Sequence, residues 1–341
     1  MRTIAVARRI LQQLRRDRRT VAMILFAPIL ILSLVWMIFD GDPYPTHVAV
    51  VNVPPPLINA LKNLDVEVVV ASAAEADALI RVDEVDAVLT FSGSSLMVLL
   101  EGSKPLARQS VMIALQQAVG ALATVSSPIT PEIAFLHGDL DLAPFDSFGP
   151  VLLGLIVFMF TFMISGISFV RERTSGTLER MMATPLRRWE VVLGYVLAFL
   201  VVMAVQVVLI TSVSVFLLDM MLAGSFVWLL VITMLLAATA LTLGMLLSAA
   251  ARTEFQMIQF IPLVIIPQVF FSGLFPLETI DPWLRGIGTV FPLTYGAEAM
   301  REVMIRGGGW AEIWPNLAFL GALSLGFLII NIFALKKYRR L

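Results

Sequence analysis

The chain contains no cysteine, which excludes disulfides and thiolate-held metals. It has only two histidines, His47 and His137, far apart and outside any HExxH pattern, so both read as ordinary surface or core side chains and no metal site is assigned. There is no GxSxG, which removes a common nucleophile motif, and no catalytic residue is assigned. There is also no GxxxxGK[ST], so the chain does not hold ATP through a P-loop of its own. Charge is scarce as well. Asp, Glu, Lys and Arg make up 14% of the residues, against roughly 25% in an average soluble domain. With 59% hydrophobic residues, the composition is that of an integral membrane protein.

Six apolar runs are long enough to cross a bilayer: 20–39, 148–170, 191–218, 226–251, 255–275 and 314–335. Each approaches the ~20 residues that a hydrocarbon core about 30 Å thick requires. The first begins with arginines as a signal peptide does, but it is too long and is followed by DGDPYP without a small-x-small site, so a retained anchor is expected. No Asp, Glu, Lys or Arg lies inside a run; Glu254 sits in the turn before the fifth. A proton-driven pump generally needs such a group. That counts against a proton-coupled exporter.

Lys and Arg set the orientation. Residues 1–19, a basic N-terminal helix, carry seven arginines, 171–190 carry five, Arg252 lies between runs four and five, and the 336–341 tail carries four basic residues. Residues 40–147 hold four basic against fourteen acidic residues. Both termini are therefore placed in the cytoplasm and 40–147 outside. In 40–147, THVAVVNV, DVEVVVA, VDAVLTF and SLMVLLEG read as strands. PPPLINALKNL, AAEADALIRVDE and a stretch from about 105 to 125 read as helices. The expectation is a small extracytoplasmic α/β domain, serving either as a cap or dimer contact or in substrate handling.

The charged interruption RERTSGTLERMMATPLRRWE, 171–190, is expected to form a short amphipathic helix. Gly176 breaks the preceding span, Thr177 N-caps the new helix, Glu179 suits its first turn and Pro185 ends it. Leu178, Met181 and Met182 fall at i, i+3 and i+4 and share one face. Framed by Arg171, Arg173, Arg187 and Arg188, the segment either lies on anionic headgroups or inserts its apolar face into a groove of a partner protein.

The segment resembles the cytoplasmic loop of type-2 ABC exporter permeases in Arg171-Glu172-Arg173, Gly176-Thr177, Leu178-Glu179-Arg180 and Ala183-Thr184-Pro185, with Met181-Met182 where two leucines are expected. A second signature agrees: Ser272-Gly273 with Phe275-Pro276, then Pro282-Trp283, then Phe291-Pro292-Leu293-Thr294-Tyr295. The likeness covers about residues 148–341. It implies an α-helical membrane protein with the six-helix type-2 permease fold, in a bacterial plasma membrane, working as a dimer with an identical or similar permease. Two copies of a cytosolic ABC ATPase would hold the ATP and magnesium, and no nucleic acid is involved. The helix within 171–190 would be the coupling element, gripped through Arg171, Glu172, Arg173, Gly176, Thr177, Leu178, Glu179, Arg180, Met181, Met182, Thr184 and Pro185. On this reading Glu179→Lys, or Leu178→Asp with Met182→Asp, leaves folding intact and uncouples transport. A sensor remains the rival, though it would need a cytoplasmic output module, and the longest cytoplasmic segments run to only about twenty residues.

Three further features bear on the path. Ala240, Gly244 and Ser248 form a small-residue stripe that packs either within the protomer or across a dimer. Gln206, Gln256, Gln259 and Gln268 are uncharged polar residues serving either interhelical hydrogen bonding or substrate contact. Such a path fits hydrophobic drugs or lipids moving outward. Residues 276–313, broken at Pro276, Pro282 and Pro292, are expected to form short re-entrant helices after Ser272 and Gly273.

Overall fold

The computed structural model describes residues 2–39, 46–64, 66–82, 84–92, 95–100, 105–126, 144–274 and 282–335. His137, Pro276 with its neighbours Phe275, Glu278 and Asp281, and the basic tail lie outside the described residues. The chain divides into two compact units, Asp40–Phe135 and the remainder.

In the smaller unit, β1 (His47–Val51), β2 (Glu67–Val70), β3 (Ala87–Ser92) and β4 (Ser95–Leu100) form a sheet in the order β2-β1-β3-β4. The first three are parallel and β4 runs antiparallel to β3. The helices are α3 (Pro55–Lys62), α4 (Ala73–Arg81) and α5 (Pro105–Ser126). The chain steps from β1 to one neighbour and then across to β3 on the other side, so two right-handed crossovers place α3 and α4 on opposite faces. Side-chain alternation follows: Val48, Val50, Ala87 and Leu89 pack with α3 and α5, while Ala49, Val51 and Val88 pack with α4. Ser72 caps α4 in a capping box with Glu75, and these bonds hold the Glu75 carboxyl below its ordinary range.

The larger unit begins with α1 (Arg2–Arg16) and α2 (Arg18–Phe39). Then come α6 (Pro144–Thr174), α7 (Thr177–Met182), α8 (Arg188–Phe216), α9 (Phe226–Ser248) and α10 (Glu254–Val269). A π-helical turn (Phe270–Leu274), α11 (Pro282–Gly288), α12 (Pro292–Met304) and α13 (Trp310–Ala334) complete it. Among the described residues, five helical stretches, in α6, α8, α9, α10 with its π turn, and α13, are long and apolar enough to cross a membrane. The bent pair α1–α2, angled by 70°, makes a sixth if counted as one span.

Helix α6 touches α2, α7, α8, α9, α10 and α12 and buries Leu153, Val157, Phe158 and Phe162. Its closest neighbour is α9. The stripe residues Ala240, Gly244 and Ser248 are all buried, and a Cβ on Gly244 would lie 2.3 Å from Ser165 Oγ and 2.5 Å from the Phe162 carbonyl oxygen. The stripe therefore packs within the protomer. Two hydroxyls of α9 bond locally: Thr233 Oγ1 donates to the Leu229 carbonyl and Thr242 Oγ1 to that of Ala238, so these two are satisfied away from water. Asn331 Nδ2 donates to the Thr242 carbonyl at 2.8 Å and pins α13 to α9.

Because the obstacle at Gly244 is backbone as well as side chain, Gly244→Ala is expected to destabilise the bundle by about 1–3 kcal/mol, the usual cost of overpacking. Gly321→Ala, which meets nothing within 4 Å, is the matched control and should be neutral or slightly stabilising. Thermal unfolding of both variants in detergent, followed by tryptophan fluorescence, distinguishes them.

Candidate functional site: an arginine-framed platform and an opposing clasp

The segment 171–190 folds as a platform on the larger unit. Helix α6 runs through Arg171, Glu172 and Arg173 and ends at Thr174. Gly176 then takes a left-handed conformation, φ 68°, and is itself the cap of α7. This corrects the expected role of Thr177, which is the first helical residue; its hydroxyl pairs with Ser175 Oγ at 2.9 Å instead. A positive φ is a glycine position. Glu179 stands in the first turn, and the helix closes before Pro185 with Thr184 Oγ1 donating to the Met181 carbonyl.

The apolar face points inward, which is the second correction. Leu178 is 1% exposed, and Met181 and Met182 are 9% exposed within the main core. These side chains hold the platform down and are not free to enter a partner's groove. What faces outward is Glu179, Arg180, Thr184, Pro185, Arg187 and Trp189. The structure therefore also overturns the expectation that Leu178→Asp with Met182→Asp spares the fold.

Ion pairs and carbonyl contacts clamp the platform on three sides. Arg171 makes a bidentate pair with Glu254 at 2.9 Å for both bonds, joining α6 to the first residue of α10. Arg173 donates to the carbonyls of Ala249 and Ala251 at the end of α9, where a helix leaves acceptors unmade. On the third side lies α1, whose Val6, Ala7 and Ile10 are buried. Its Arg9 reaches the 6%-exposed Glu172 at 3.5 Å and Met181 Sδ at 2.7 Å, and Arg2 Nη1 donates to the Pro185 carbonyl at 2.8 Å. Close approach of α1 to α8 requires the missing side chain of Gly194, where a Cβ would meet Val6 at 2.6 Å.

Sequence reasoning missed α1 as a structural partner of the platform. The signal was the apolar triplet Val6, Ala7 and Ile10 at helical spacing, masked by seven arginines in the first nineteen residues.

The residues read as re-entrant form a clasp. The π turn after α10 contains Gly273 at φ 79°, and the Arg301 guanidinium occupies the space a Cβ there would take, 2.6 Å away. Arg301 Nη2 donates to the Ser272 carbonyl at 2.9 Å, Thr294 Oγ1 to that of Phe271 at 3.0 Å, and Leu293 N to Gln268 Oε1 at 3.0 Å. The last bond satisfies a first-turn donor of α12, which opens with Pro292. Burial lowers the affinity of Arg301 for its proton while Glu298 opposes the shift; an arginine starts so high that it stays cationic. Helix α12 buries Leu293, Ala297, Met300 and Met304, and α11 begins at Pro282.

The four glutamines separate. Gln268 is buried in the clasp and Gln206 is fully buried in α8. Gln256 lies in the first turn of α10, where its N–H donates to the capping Thr253 Oγ1 and its Oε1 accepts from Arg252 N at 2.8 Å, and Gln259 is exposed. Among the described residues no group of His, Asp and Glu is arranged to hold a metal ion.

The family model for the ABC-2 family transporter protein matches residues 18–333. The chain is 29% identical over 259 residues to ABC transporter G family member 20 of Dictyostelium discoideum, covering 74% of this chain and 34% of that protein. It is 24% identical over 174 residues to the probable multidrug ABC transporter permease YbhR of Escherichia coli (strain K12), covering 49% and 47%. Inner membrane transport permease YhhJ of the same organism is 25% identical over 185 residues, covering 52% and 48%. The chain thus spans less than half the length of these relatives.

The burial pattern separates two substitutions on one helix. Leu178→Asp places a carboxylate in a dry core and should cost ~3 kcal/mol or more, whereas Glu179→Lys, on the exposed rim, should change stability by no more than about 0.5 kcal/mol. Thermal unfolding of the two purified variants checks this.

Proposed function

Because this chain belongs to the ABC-2 transporter family, we propose that it is the membrane permease of an ATP-driven exporter, energised by an ABC ATPase on a separate cytosolic subunit. Two ATPase copies would bind the ATP and magnesium. Two permeases, identical or similar, would enclose the path, and the substrate would be a hydrophobic or amphipathic drug or lipid moved outward. The setting is a bacterial plasma membrane, with α1, the platform and both termini on the cytoplasmic side, where the excess of arginine puts them.

The observation that carries this reading is the construction of the platform. Its apolar residues are buried in the main core, with α7 packed on α6 and Met181 reached by Arg9 of α1, and a short exposed rim of Glu179, Arg180, Thr184 and Pro185 is held outward on that base. A segment that only floated on lipid would turn Leu178, Met181 and Met182 toward the bilayer. The absence of a P-loop in the sequence fits an energy source carried on another chain.

Purification of the tagged protein from its native membrane in mild detergent is the test. A P-loop ATPase should accompany it in stoichiometric amount, and Glu179→Lys should reduce that recovery at least tenfold while leaving thermal stability unchanged. Recovery of the intact permease with no ATPase under these conditions would overturn the proposal.

A further inference from the structure

The sheet of the smaller unit ends in two unlike edges. On one, β2 is four residues long and carries Glu67, whose carboxylate meets His47 Nδ1 at 3.2 Å. Charged side chains of that kind keep a strand edge from pairing with another chain. On the other, β4 is six residues long and has β3 as its neighbour in the sheet. No Asp, Glu, Lys, Arg or Pro occurs from Ala87 to Leu100. The outer side of β4 is therefore a row of backbone donors and acceptors without the usual guards.

The side chains of this edge are apolar as well. The register sets Leu99 beside Val88 and Met97 beside Thr90, on the face where Val88 meets α4. Helix α4 packs on β1 and β3, while Met97 stays 64% and Leu99 54% exposed. Leu96 and Val98 turn to the opposite face and pack, half-buried, on the core shared with α5. The sequence around the sheet is acidic, with four basic against fourteen acidic residues from 40 to 147. Two such domains repel each other by net charge, and β4 is a face on which they can meet without adding to that repulsion.

We infer that β4 pairs antiparallel with β4 of a second copy of this chain, joining two four-stranded sheets into one of eight strands. A twofold axis through Val98 sets Met97 across from Leu99 of the partner subunit, and Leu99 across from Met97 of the partner subunit. Each exposed side chain then gains an apolar neighbour at the ~5 Å spacing of cross-strand pairs. The uncharged strand is complementary to itself, which is what a second copy requires. The inference rests on the proposed function only in taking the chain to work as a pair; it adds that the two copies are identical and where they touch.

Because the chain has no cysteine, single substitutions in the full-length protein report the contact cleanly. Leu96→Cys, Met97→Cys, Val98→Cys, Leu99→Cys and, on the other edge, Val70→Cys are oxidised with copper phenanthroline in native membranes and read on non-reducing gels. Residues opposite each other in an antiparallel pair lie within disulfide reach. Val98→Cys should give a species of twice the chain mass at least fivefold more than the other four. Exposure alone would favour Met97→Cys, Leu99→Cys and the 72%-exposed Val70→Cys, and that pattern would overturn the inference. Met97→Lys with Leu99→Lys should lower the Val98→Cys yield at least fivefold with thermal unfolding unchanged. Co-expression with a Met97→Glu, Leu99→Glu copy should restore it. Two differently tagged copies that co-purify while no β4 cysteine cross-links would overturn the inference and leave the proposed pair standing. Copies that neither co-purify nor cross-link would overturn both. A cross-linked product of any other mass would assign this edge to a different protein and overturn the second-copy assignment.

Discussion

The approach of α9 to α6 at Gly244 is the contact on which the rest of the larger unit depends. Between helices in lipid the hydrophobic effect gives little net drive, because an acyl chain is as apolar as a leucine; dispersion and hydrogen bonding must hold them. Both fall off steeply with distance, so the pair needs small residues on at least one side. Ser165 Oγ and the Phe162 carbonyl oxygen fill the space a side chain at 244 would need. With that axis fixed, α6 can be surrounded by α2, α8, α10 and α12. Its far end can then continue without interruption into Arg171, Glu172 and Arg173, from which the platform is hung.

Much of this was legible in the sequence, and the limits have physical causes. Hydropathy located the apolar helices because a long run without charge has few other readings. The strand and helix signals of the smaller unit were equally local. Periodicity showed that Leu178, Met181 and Met182 share a face but not what that face meets: an amphipathic helix looks the same whether it buries against its own chain or against a partner. The cap was misread for a related reason. Thr177 has the chemistry of an N-cap, but the cap is set by backbone conformation, and the left-handed turn falls on Gly176. The stripe Ala240, Gly244 and Ser248 announced close packing without naming α6, since sequence spacing carries no information about the other helix.

The second signature gains a mechanical meaning from the clasp. Ser272-Gly273 and Leu293-Thr294 lie about twenty residues apart in sequence, yet Ser272 presents its carbonyl to Arg301, Phe271 presents its own to Thr294, and Leu293 donates to Gln268. Gly273 is required twice, by its positive φ and by the guanidinium that fills its side-chain space. Pro292 opens α12 where its missing N–H costs nothing. A pattern that reads as scattered turn residues is one interlocking joint, invisible to local rules because each partner is supplied by a different element.

Helix α10 is tied at both ends by charge-assisted bonds, and this gives the proposed coupling a physical route. At its start Glu254 is chelated by Arg171 of the platform; beyond its end the Ser272 carbonyl is held by Arg301 of α12. Between them α10 is less covered than its neighbours: only 28% of its span is buried, against 67% for α6. Interior prolines Pro262 and Pro267 remove two backbone donors and make it easy to bend. Within the proposed function, a push on the platform rim is resisted by the buried α6 and is therefore taken up by the lightly packed α10. The strain then arrives at the π turn, where a glycine and three hydrogen bonds decide whether α12 stays seated. Reversing the order of stiffness, with a rigid α10 and a loose α6, would let the platform tilt without moving the clasp.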